Sequence, residues 1–346
     1  MKTFFAAALA VSFAMPATVM AQGGPPQAVK TQQNLGAAGL LGSFFSGAQF
    51  GTTRARSGEN AARRGAAGAP GAAQSGYKHE TVTALGLISG RKLLNDGASY
   101  LTFGASFNNK EERPNLTDID TQIPSIGIGY QNFSNQNTAY AAYLTFSSRD
   151  SRGETVHSRR KYYELRFDVA HKFSDHWGVT GRLVHTRGDL KVDVTTPFGV
   201  VATVEPQTVW YGQAELVGNF TSDDAGFVPK GWVLNPILGI SHDTEITGSS
   251  SSTKDVVESG SVWAKATLSK LAGPGTWSPN FTLGLEHEYL QEGAEFIDED
   301  TYGIMGAGLT RRDKKGNAIN VVFERRQGFN GNRVSNVLVT GYSFNF

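Results

Sequence analysis

The stretch Tyr162-Tyr163-Glu164-Leu165-Arg166-Phe167-Asp168-Val169 alternates between two kinds of side chain. Its odd positions are aromatic or aliphatic, and from Glu164 onward its even positions are charged. Because successive side chains of a β-strand point to opposite faces, this stretch predicts a strand with one apolar face and one charged face. Similar alternation returns along the chain from about residue 98 to residue 346, for example in Phe281–Tyr289 and Ile319–Glu324.

No matching second sheet or set of helices accompanies these apolar faces, so lipid is their expected partner. Composition agrees with this interpretation. Charged residues make up 18% of the 346 residues, below the share of roughly 25% in soluble domains. A mean hydropathy of −0.28 argues against a helical membrane protein. The sequence therefore predicts an all-β protein, a single antiparallel transmembrane β-barrel.

Several function classes are disfavoured by composition and motifs. The 32 Lys and Arg residues balance 31 Asp and Glu residues, so no excess charge points to a nucleic-acid partner. The absence of cysteine excludes disulfides, thiol catalysis and Cys-ligated zinc. The seven histidines lack metal-ligand spacing, and neither Asp175-His176 nor Ser241-His242 belongs to a recognisable catalytic set. We expect no enzyme activity, cofactor or metal.

The chain divides into three regions. Residues 1–21 have the pattern of a signal peptide, with Lys2, an apolar run over Phe4–Ala14 and a small-residue cleavage pattern that ends at Ala21. Residues 22–77 are rich in Gly, Ala and Arg, a composition that cannot bury a compact core. The barrel is expected over residues 78–346.

Twelve strands are predicted, and their connections alternate between tight turns and longer polar loops, as in bacterial outer-membrane barrels. The predicted strands are 98–108, 122–131, 138–148, 158–173, 178–193, 206–219, 231–245, 256–271, 280–292, 300–312, 317–327 and 333–346. The longer loops include 110–121 and 194–205.

Residues 79–94 also have β propensity, and counting them as a wall strand gives thirteen, whereas bacterial single-chain barrels have even numbers. Either residues 43–56 form a further strand, which gives fourteen, or residues 79–94 lie inside the lumen or before the barrel. We favour twelve strands.

Strand parity identifies the side chains that are expected to line the lumen. Six are acids and four are bases: Glu164, Arg166, Asp168, Arg182, Glu215, Lys265, Glu286, Glu288, Glu324 and Arg326. Such groups either pair across a packed lumen or set the ion preference of an open pore. A basic set in the preceding segment could enter this acid-rich lumen as a plug and pair with Glu286, Glu288 or Glu215. The candidate plug residues are Arg54, Arg56, Arg63 and Arg64.

The chain ends with aromatic residues at alternate positions, Tyr342, Phe344 and Phe346. This ending is similar to the signal by which outer-membrane barrels engage their assembly machinery. The order and lengths of the twelve segments over residues 98–346 resemble the translocator β-domain of autotransporters, the type V secretion family. The likeness is best at Ile126–Tyr130 and Leu283–Tyr289, in Trp232–Ser241 and in the closing strands.

This resemblance implies a twelve-stranded barrel with a segment threaded through its lumen. The family normally exports a large passenger, whereas only residues 22–77 precede the predicted barrel here. We therefore expect a translocator-type or structural barrel in the outer membrane of a Gram-negative-type envelope, which threads or displays residues 22–77. Two alternatives are a porin-like diffusion channel and a surface adhesion module. The expected partners are outer-membrane lipid, the barrel assembly machinery and periplasmic chaperones, and no nucleic acid; the oligomeric state is open.

Overall fold

The computed structural model describes residues 79–94, 99–114, 118–132, 137–248, 255–271, 273–291, 299–314 and 317–346. Regular structure within these ranges consists of β-strands. No helix among them has the length and apolarity needed to cross a membrane. The signal peptide, the plug arginines Arg54, Arg56, Arg63 and Arg64, and the alternative strand at 43–56 lie outside the described residues.

The strands follow one another along the chain with short connections. They are β1 (His79–Leu93), β2 (Ser99–Pro114), β3 (Ile119–Asn132), β4 (Thr138–Arg152), β5 (Val156–Lys172), β6 (Trp177–Thr196), β7 (Gly199–Gly218), β8 (Phe220–Thr221), β9 (Trp232–Thr247), β10 (Asp255–Lys270), β11 (Trp277–Gln291), β12 (Thr301–Arg312), β13 (Ala318–Gly328) and β14 (Arg333–Asn345).

The wall is a closed barrel, which confirms the predicted all-β barrel fold. Each long strand pairs antiparallel with the next long strand, and β9 follows β7 because the two-residue β8 pairs only with the start of β9. The ring closes where β1 pairs with β14. The described wall therefore contains thirteen strands, one more than the favoured count and one fewer than the alternative.

The additional wall strand is β1, which the favoured count of twelve left out of the wall and the alternative count of fourteen included. It pairs with β2 from His79↔Pro114 to Leu93↔Tyr100. Because the wall has an odd number of strands and each strand is antiparallel to the next along the chain, the first and last wall strands run in the same direction, and β1 and β14 form a parallel pair. The register of this β1–β14 pair runs from His79↔Arg333 to Arg91↔Asn345. We call this pair the seam.

The barrel has two distinguishable ends. We call the end where β14 stops the C-terminal end and the end where β1 starts the N-terminal end. Connections at the C-terminal end include the tight turn 173–176 and the short connection between β12 and β13, which is bridged by a hydrogen bond of 3.0 Å from the Asp313 amide to the Asn317 carbonyl oxygen; both were predicted to be tight. Its longer connection, residues 222–231, forms a folded cap in which Val228 is buried.

At the N-terminal end the strands continue far beyond the predicted boundaries. The predicted loop 194–205 is a β-hairpin, in which β6 and β7 remain paired to Thr196↔Gly199 and only Pro197 and Phe198 form the turn. Gly199 has a φ of 126°, a backbone conformation that glycine adopts without strain. The hairpin is rich in Val and Thr, which favour strands, and its tip projects into solvent.

Burial alternates along the wall strands, which separates an exposed outer face from a buried inner face. On β5, Leu165, Phe167 and Val169 are exposed, whereas Glu164 and Asp168 are buried. The large apolar side chains of the outer face form a continuous exposed band around the barrel, as expected for strands that face lipid.

The inner face is apolar at the seam. Leu85 of β1 packs with Val337 and Val339 of β14, and the half-buried Leu87 and Val322 pack against this cluster. On the opposite face of β1, Val82 and Ile88 are exposed. The strand is therefore apolar on both faces, which explains why its sequence does not show the simple alternation of its neighbours.

Candidate functional site: the polar interior

The ten side chains predicted for the lumen all lie on strand positions of inner-face parity. Seven of them are buried: Glu164, Arg166, Asp168, Glu215, Glu286, Glu288 and Glu324. Lys265, Arg182 and Arg326 are half-buried. The structure groups these residues into two clusters with a polar belt between them.

The first cluster centres on one carboxylate of β5. Asp168 forms an ion pair with Arg166, and its Oδ1 accepts from Nε of Arg182 on β6 at 2.9 Å. The Arg166 guanidinium also stacks over the Tyr143 ring at 4.8 Å from the centroid. Gln131 donates to the Tyr143 hydroxyl at 2.5 Å, which fixes the ring over the Cα of Gly129. We call these residues the Asp168 cluster.

The second cluster joins β11, β12, β13 and β14. Arg326 on β13 reaches Glu286 on β11 at 2.7 Å, and its Nε donates to Glu324 at 3.1 Å. Next to them, Arg333 at the start of β14 contacts Glu288 at 2.9 Å. We call these residues the Glu288 cluster.

The Tyr302 hydroxyl on β12 ties the Glu288 cluster to the chain that precedes this strand. It donates to Glu288 at 3.1 Å and lies 2.9 Å from the Glu299 carbonyl oxygen, while Arg333 donates to it at 2.8 Å. The Glu299 carboxylate in turn accepts from the backbone amides of Asn330 and Asn332. The cluster therefore also anchors the connection between β13 and β14.

The remaining predicted residues have other surroundings. Glu215 accepts from Thr180 at 3.1 Å, and the side chain of Lys265 packs over Gly284. Glu164 is 2% exposed. The plug arginines were expected to pair with Glu286, Glu288 or Glu215, but residues of the wall already occupy hydrogen-bonding positions on all three carboxylates.

The structure adds buried charged residues that the sequence analysis did not include. Strand parity was sufficient to find some of them, since Asp243 and Glu245 alternate with Leu238 and Ile240 in a predicted strand. Others lay in predicted loops or in the omitted β1. The added residues are Arg91, Lys110, Glu112, Arg160, Asp243, Glu245, Glu299, Arg312 and Arg333.

Five of these additions are bases and four are acids, so the interior is closer to neutral than the sequence suggested. Glu245, fully buried, accepts from Gln207 at 2.5 Å, and Asp243 accepts from Ser259. Lys110 pairs with Glu112 on the same strand. Within the described residues, the Asp168 and Glu288 clusters place acids next to bases, so neither cluster forms an extended stretch of one sign that would select ions.

The described residues contain no group of three or more His, Asp or Glu side chains placed to hold a metal ion. Ser241, which the sequence placed beside His242, points inward and lies 3.2 Å from the hydroxyl of Ser261. His242 is on the opposite face of the strand, where its ring is 3.7 Å from Glu258. The two side chains therefore do not form a nucleophile–base pair.

The C-terminal aromatic residues form a row across the seam. The rings of Tyr342, Phe344 and Phe346 follow one another with centroid distances of 6.0 and 5.9 Å. Phe346 also lies 6.2 Å from Phe103 on β2. Gly90 on β1 leaves room for this row, since a Cβ there would lie 2.7 to 2.8 Å from the two phenylalanine rings.

No protein-family model and no curated protein matches the sequence. Among solved structures, the chain is similar to the beta domain of the Bordetella autotransporter BrkA, with 16% identity and a TM-score of 0.51 over 66% of this chain and 92% of that chain. It is also similar to the translocator domain of autotransporter NalP from Neisseria meningitidis, with 13% identity and a TM-score of 0.51 over 80% and 92% of the two chains.

A mutant of the TodX monoaromatic hydrocarbon channel matches with a TM-score of 0.40 and 10% identity over 77% of this chain and 88% of that chain, which is too distant to support an argument. The BrkA and NalP matches confirm, at the level of fold, the resemblance that the strand pattern indicated. The chain has a β-barrel similar in fold to autotransporter β-domains.

Proposed function

We propose that the protein is an outer-membrane barrel of translocator type that keeps its lumen closed and holds residues of its own N-terminal segment in the interior. The outer face supports a membrane location. Exposed apolar side chains such as Ile126, Phe167 and Leu283 surround the wall, and aromatic pairs such as Trp232 and Phe281 lie near the C-terminal end. Barrels in lipid carry such a band with aromatic residues at its borders.

The parallel seam is the observation that carries the proposal. Because β1 and β14 run in the same direction, His79 lies at the N-terminal end, beside Asn332, whose carbonyl accepts from its amide at 2.7 Å. Phe346 lies at the C-terminal end. In a barrel with an even number of strands the two chain ends meet at one side of the membrane. Here they are separated by the height of the wall.

The orientation of the barrel in the membrane decides on which side residues 22–77 join β1. Short turns mark the periplasmic side of outer-membrane barrels, and longer extensions mark the outer side. The tight turn 173–176 and the short connection between β12 and β13 support an orientation with the C-terminal end in the periplasm, and the long β6–β7 hairpin supports an outer position of the N-terminal end. Residues 22–77 precede β1, so they either return through the lumen or remain on the cell surface.

The burial of inner-face side chains favours a position of residues 22–77 in the lumen. Eight strands enclose an interior that wall side chains just fill, and the diameter grows with strand number. Thirteen strands enclose more space, yet Glu245 and Thr121 are 0% exposed and Thr83 is 1% exposed. An open channel of this width would leave such small and polar side chains wet, so a closed lumen with an occupant accounts for their burial.

Conductance tests the proposal. The intact protein in planar bilayers should be nearly non-conducting, and removal of residues 22–77 behind the signal peptide should produce a marked rise in conductance. Heat-modifiable migration in gels must show that the shortened barrel is folded. A matched control removes the exposed hairpin tip, residues 197–202, which should leave conductance unchanged.

Three results would contradict the proposal. A high conductance of the intact protein would favour the diffusion channel. No rise after the deletion, with the barrel folded, would place the segment outside the lumen and favour surface display or adhesion. Failure of the shortened chain to fold would show that residues 22–77 contribute to the wall.

A further inference from the structure

We propose that the outer face of β2 to β6 carries a binding site for a lipid with a phosphate head group; the orientation of this site rests on the proposed function. A cavity of about 870 Å³ lies on this face. Its apolar side chains are Phe107, Ile126, Phe146 and Tyr163, all of which are exposed. A concave apolar surface of this size on the lipid-facing side fits acyl chains.

The register of the sheet places the apolar and basic parts of this site side by side. Ile126 pairs with Phe146, Phe146 pairs with Tyr163, and Tyr163 pairs with Arg187, so these residues form one row across four strands. Lys161 lies next along β5 toward the N-terminal end, opposite Asp189. Two cations therefore border one end of the apolar surface.

Both cations are available to an anion. Lys161 and Arg187 are exposed, and within the described part of the chain neither forms an ion pair. The next basic residues on the same two strands do form ion pairs. Arg159 and Lys191 both contact Asp193, at 2.8 and 3.3 Å. An arginine and a lysine side by side supply several donors for the oxygens of one phosphate group.

The site lies at the border of the apolar band. Toward the C-terminal end the outer face of β5 continues with Leu165, Phe167 and Val169, whereas toward the N-terminal end it continues with Arg159. Lys161 is thus the first charged outward residue beyond the apolar band of this strand. Head groups lie at this depth of a bilayer, where juxtamembrane cations attract anionic lipids.

Asp189 limits the positive charge of the site, because its carboxylate also borders the cavity. Two cations and one carboxylate leave a net charge of one, too little to hold a free phosphate ion in water at an exposed site. The apolar surface must therefore contribute to affinity, which favours a phospholipid over a small soluble phosphate.

Native mass spectrometry of the purified full chain in detergent tests the site with three probes: phosphatidic acid, diacylglycerol with the same acyl chains, and glycerol 3-phosphate. Phosphatidic acid should bind, diacylglycerol should bind more weakly, and glycerol 3-phosphate should fail to displace the bound phosphatidic acid. Equal binding of the two lipids, or displacement by glycerol 3-phosphate, would overturn the proposal. This comparison needs no variant.

Substitutions then locate the site. Since each cation near a membrane surface contributes about 1 kcal/mol, the double variant K161Q/R187Q should bind phosphatidic acid about thirty-fold more weakly. The control R159Q/K191Q makes the same charge change on the same strands and should alter binding less than about threefold. The variant D189N should bind more tightly. Equal losses in the two double variants would show a general charge effect and overturn the assigned site.

These outcomes are distinguishable from failure of the proposed function. Heat-modifiable migration reports whether each variant is a folded barrel, and the lipid measurement applies to that folded fraction. A conducting barrel that binds phosphatidic acid at Lys161 and Arg187 would contradict the closed lumen and leave the lipid site intact.

Discussion

The backbone amide of Phe346 donates a hydrogen bond of 3.0 Å to the carbonyl oxygen of Arg91, so the last residue of the chain is joined to the first wall strand. This bond extends the seam one residue beyond Arg91↔Asn345. The Phe346 ring continues the outer aromatic row next to Phe344 and Phe103. Phe346 thus both closes the ring of strands and faces outward.

Replacement of Phe346 by Asp should impair assembly, because it puts a charge on the aromatic row beside the closing hydrogen bond. We expect a lower level in the outer-membrane fraction and loss of the heat-resistant folded band in detergent gels. The matched control is F329D, at an exposed phenylalanine in the β13–β14 connection, which should assemble normally. A normal level and normal heat resistance of F346D would show that the terminal aromatic is dispensable.

Asp168→Asn should be strongly destabilising, because it removes the carboxylate shared by Arg166 and Arg182, whose side chains are only 8% and 7% exposed. Removal of one member of a buried ion pair costs about 3–5 kcal/mol. Asp193→Asn is the control, since Asp193 pairs with the exposed Arg159 at 2.8 Å, and exposed pairs contribute about 0–1 kcal/mol. Urea unfolding in detergent measures the free energy of unfolding of both variants. Equal effects would mean that water reaches the Asp168 cluster.

Leu165→Arg should destabilise the barrel in lipid by about 2–4 kcal/mol, since an arginine at mid-depth on the lipid-facing side of a barrel costs that much. Phe198→Arg should change the stability by less than about 0.5 kcal/mol, as for a surface substitution, because Phe198 is 100% exposed at the hairpin tip outside the apolar band. The free energy of unfolding in lipid vesicles distinguishes them. A larger destabilisation by the Phe198 change than by the Leu165 change would show that the hairpin tip, and not the middle of β5, faces lipid.

Asp224 in the C-terminal cap should titrate below the ordinary pKa of an aspartate. The Thr221 backbone amide at 2.8 Å and the Thr221 hydroxyl at 2.9 Å donate to its carboxylate and lower its pKa. Its contribution to cap stability is therefore present above the pKa of an unfolded aspartate and is lost as the pH falls through the lower folded value. Carboxyl NMR titration measures this pKa, and Thr221→Val should raise it. An unshifted pKa would contradict the capping geometry.

The sequence was sufficient for the all-β barrel fold class. Strict alternation, as in Glu164–Val169, predicts both the strand and the side of each residue, because lipid outside and polar groups inside impose a period of two. The alternation did not predict which inner-face side chains pair with one another. The Asp168 cluster depends on the register between β5 and β6, which no pattern within one strand specifies.

Two regions differ from the favoured twelve-strand prediction for definite physical reasons. In β1, Leu85 and Leu87 face an apolar seam, so both faces of the strand are apolar and the alternation disappears. The segment 194–205 was predicted to be a loop. It is a hairpin that is largely exposed to solvent and is held by the pairing between β6 and β7. Strand alternation is a poor guide for a strand that is apolar on both faces and for a hairpin that is exposed on both faces.

The parallel pairing of β1 with β14 can be tested by disulfide formation across the seam. The chain has no cysteine, and Ser89 pairs with both Ser343 and Gly104 on opposite sides. We expect S89C/S343C to form a disulfide on oxidation, because neighbouring strands lie about 4.8 Å apart. The pair G104C/S343C, separated by β1, should remain reduced, since a gap of about 9.6 Å cannot be bridged. A disulfide in G104C/S343C and none in S89C/S343C would show that β2 meets β14 directly, and would contradict the thirteen-stranded wall.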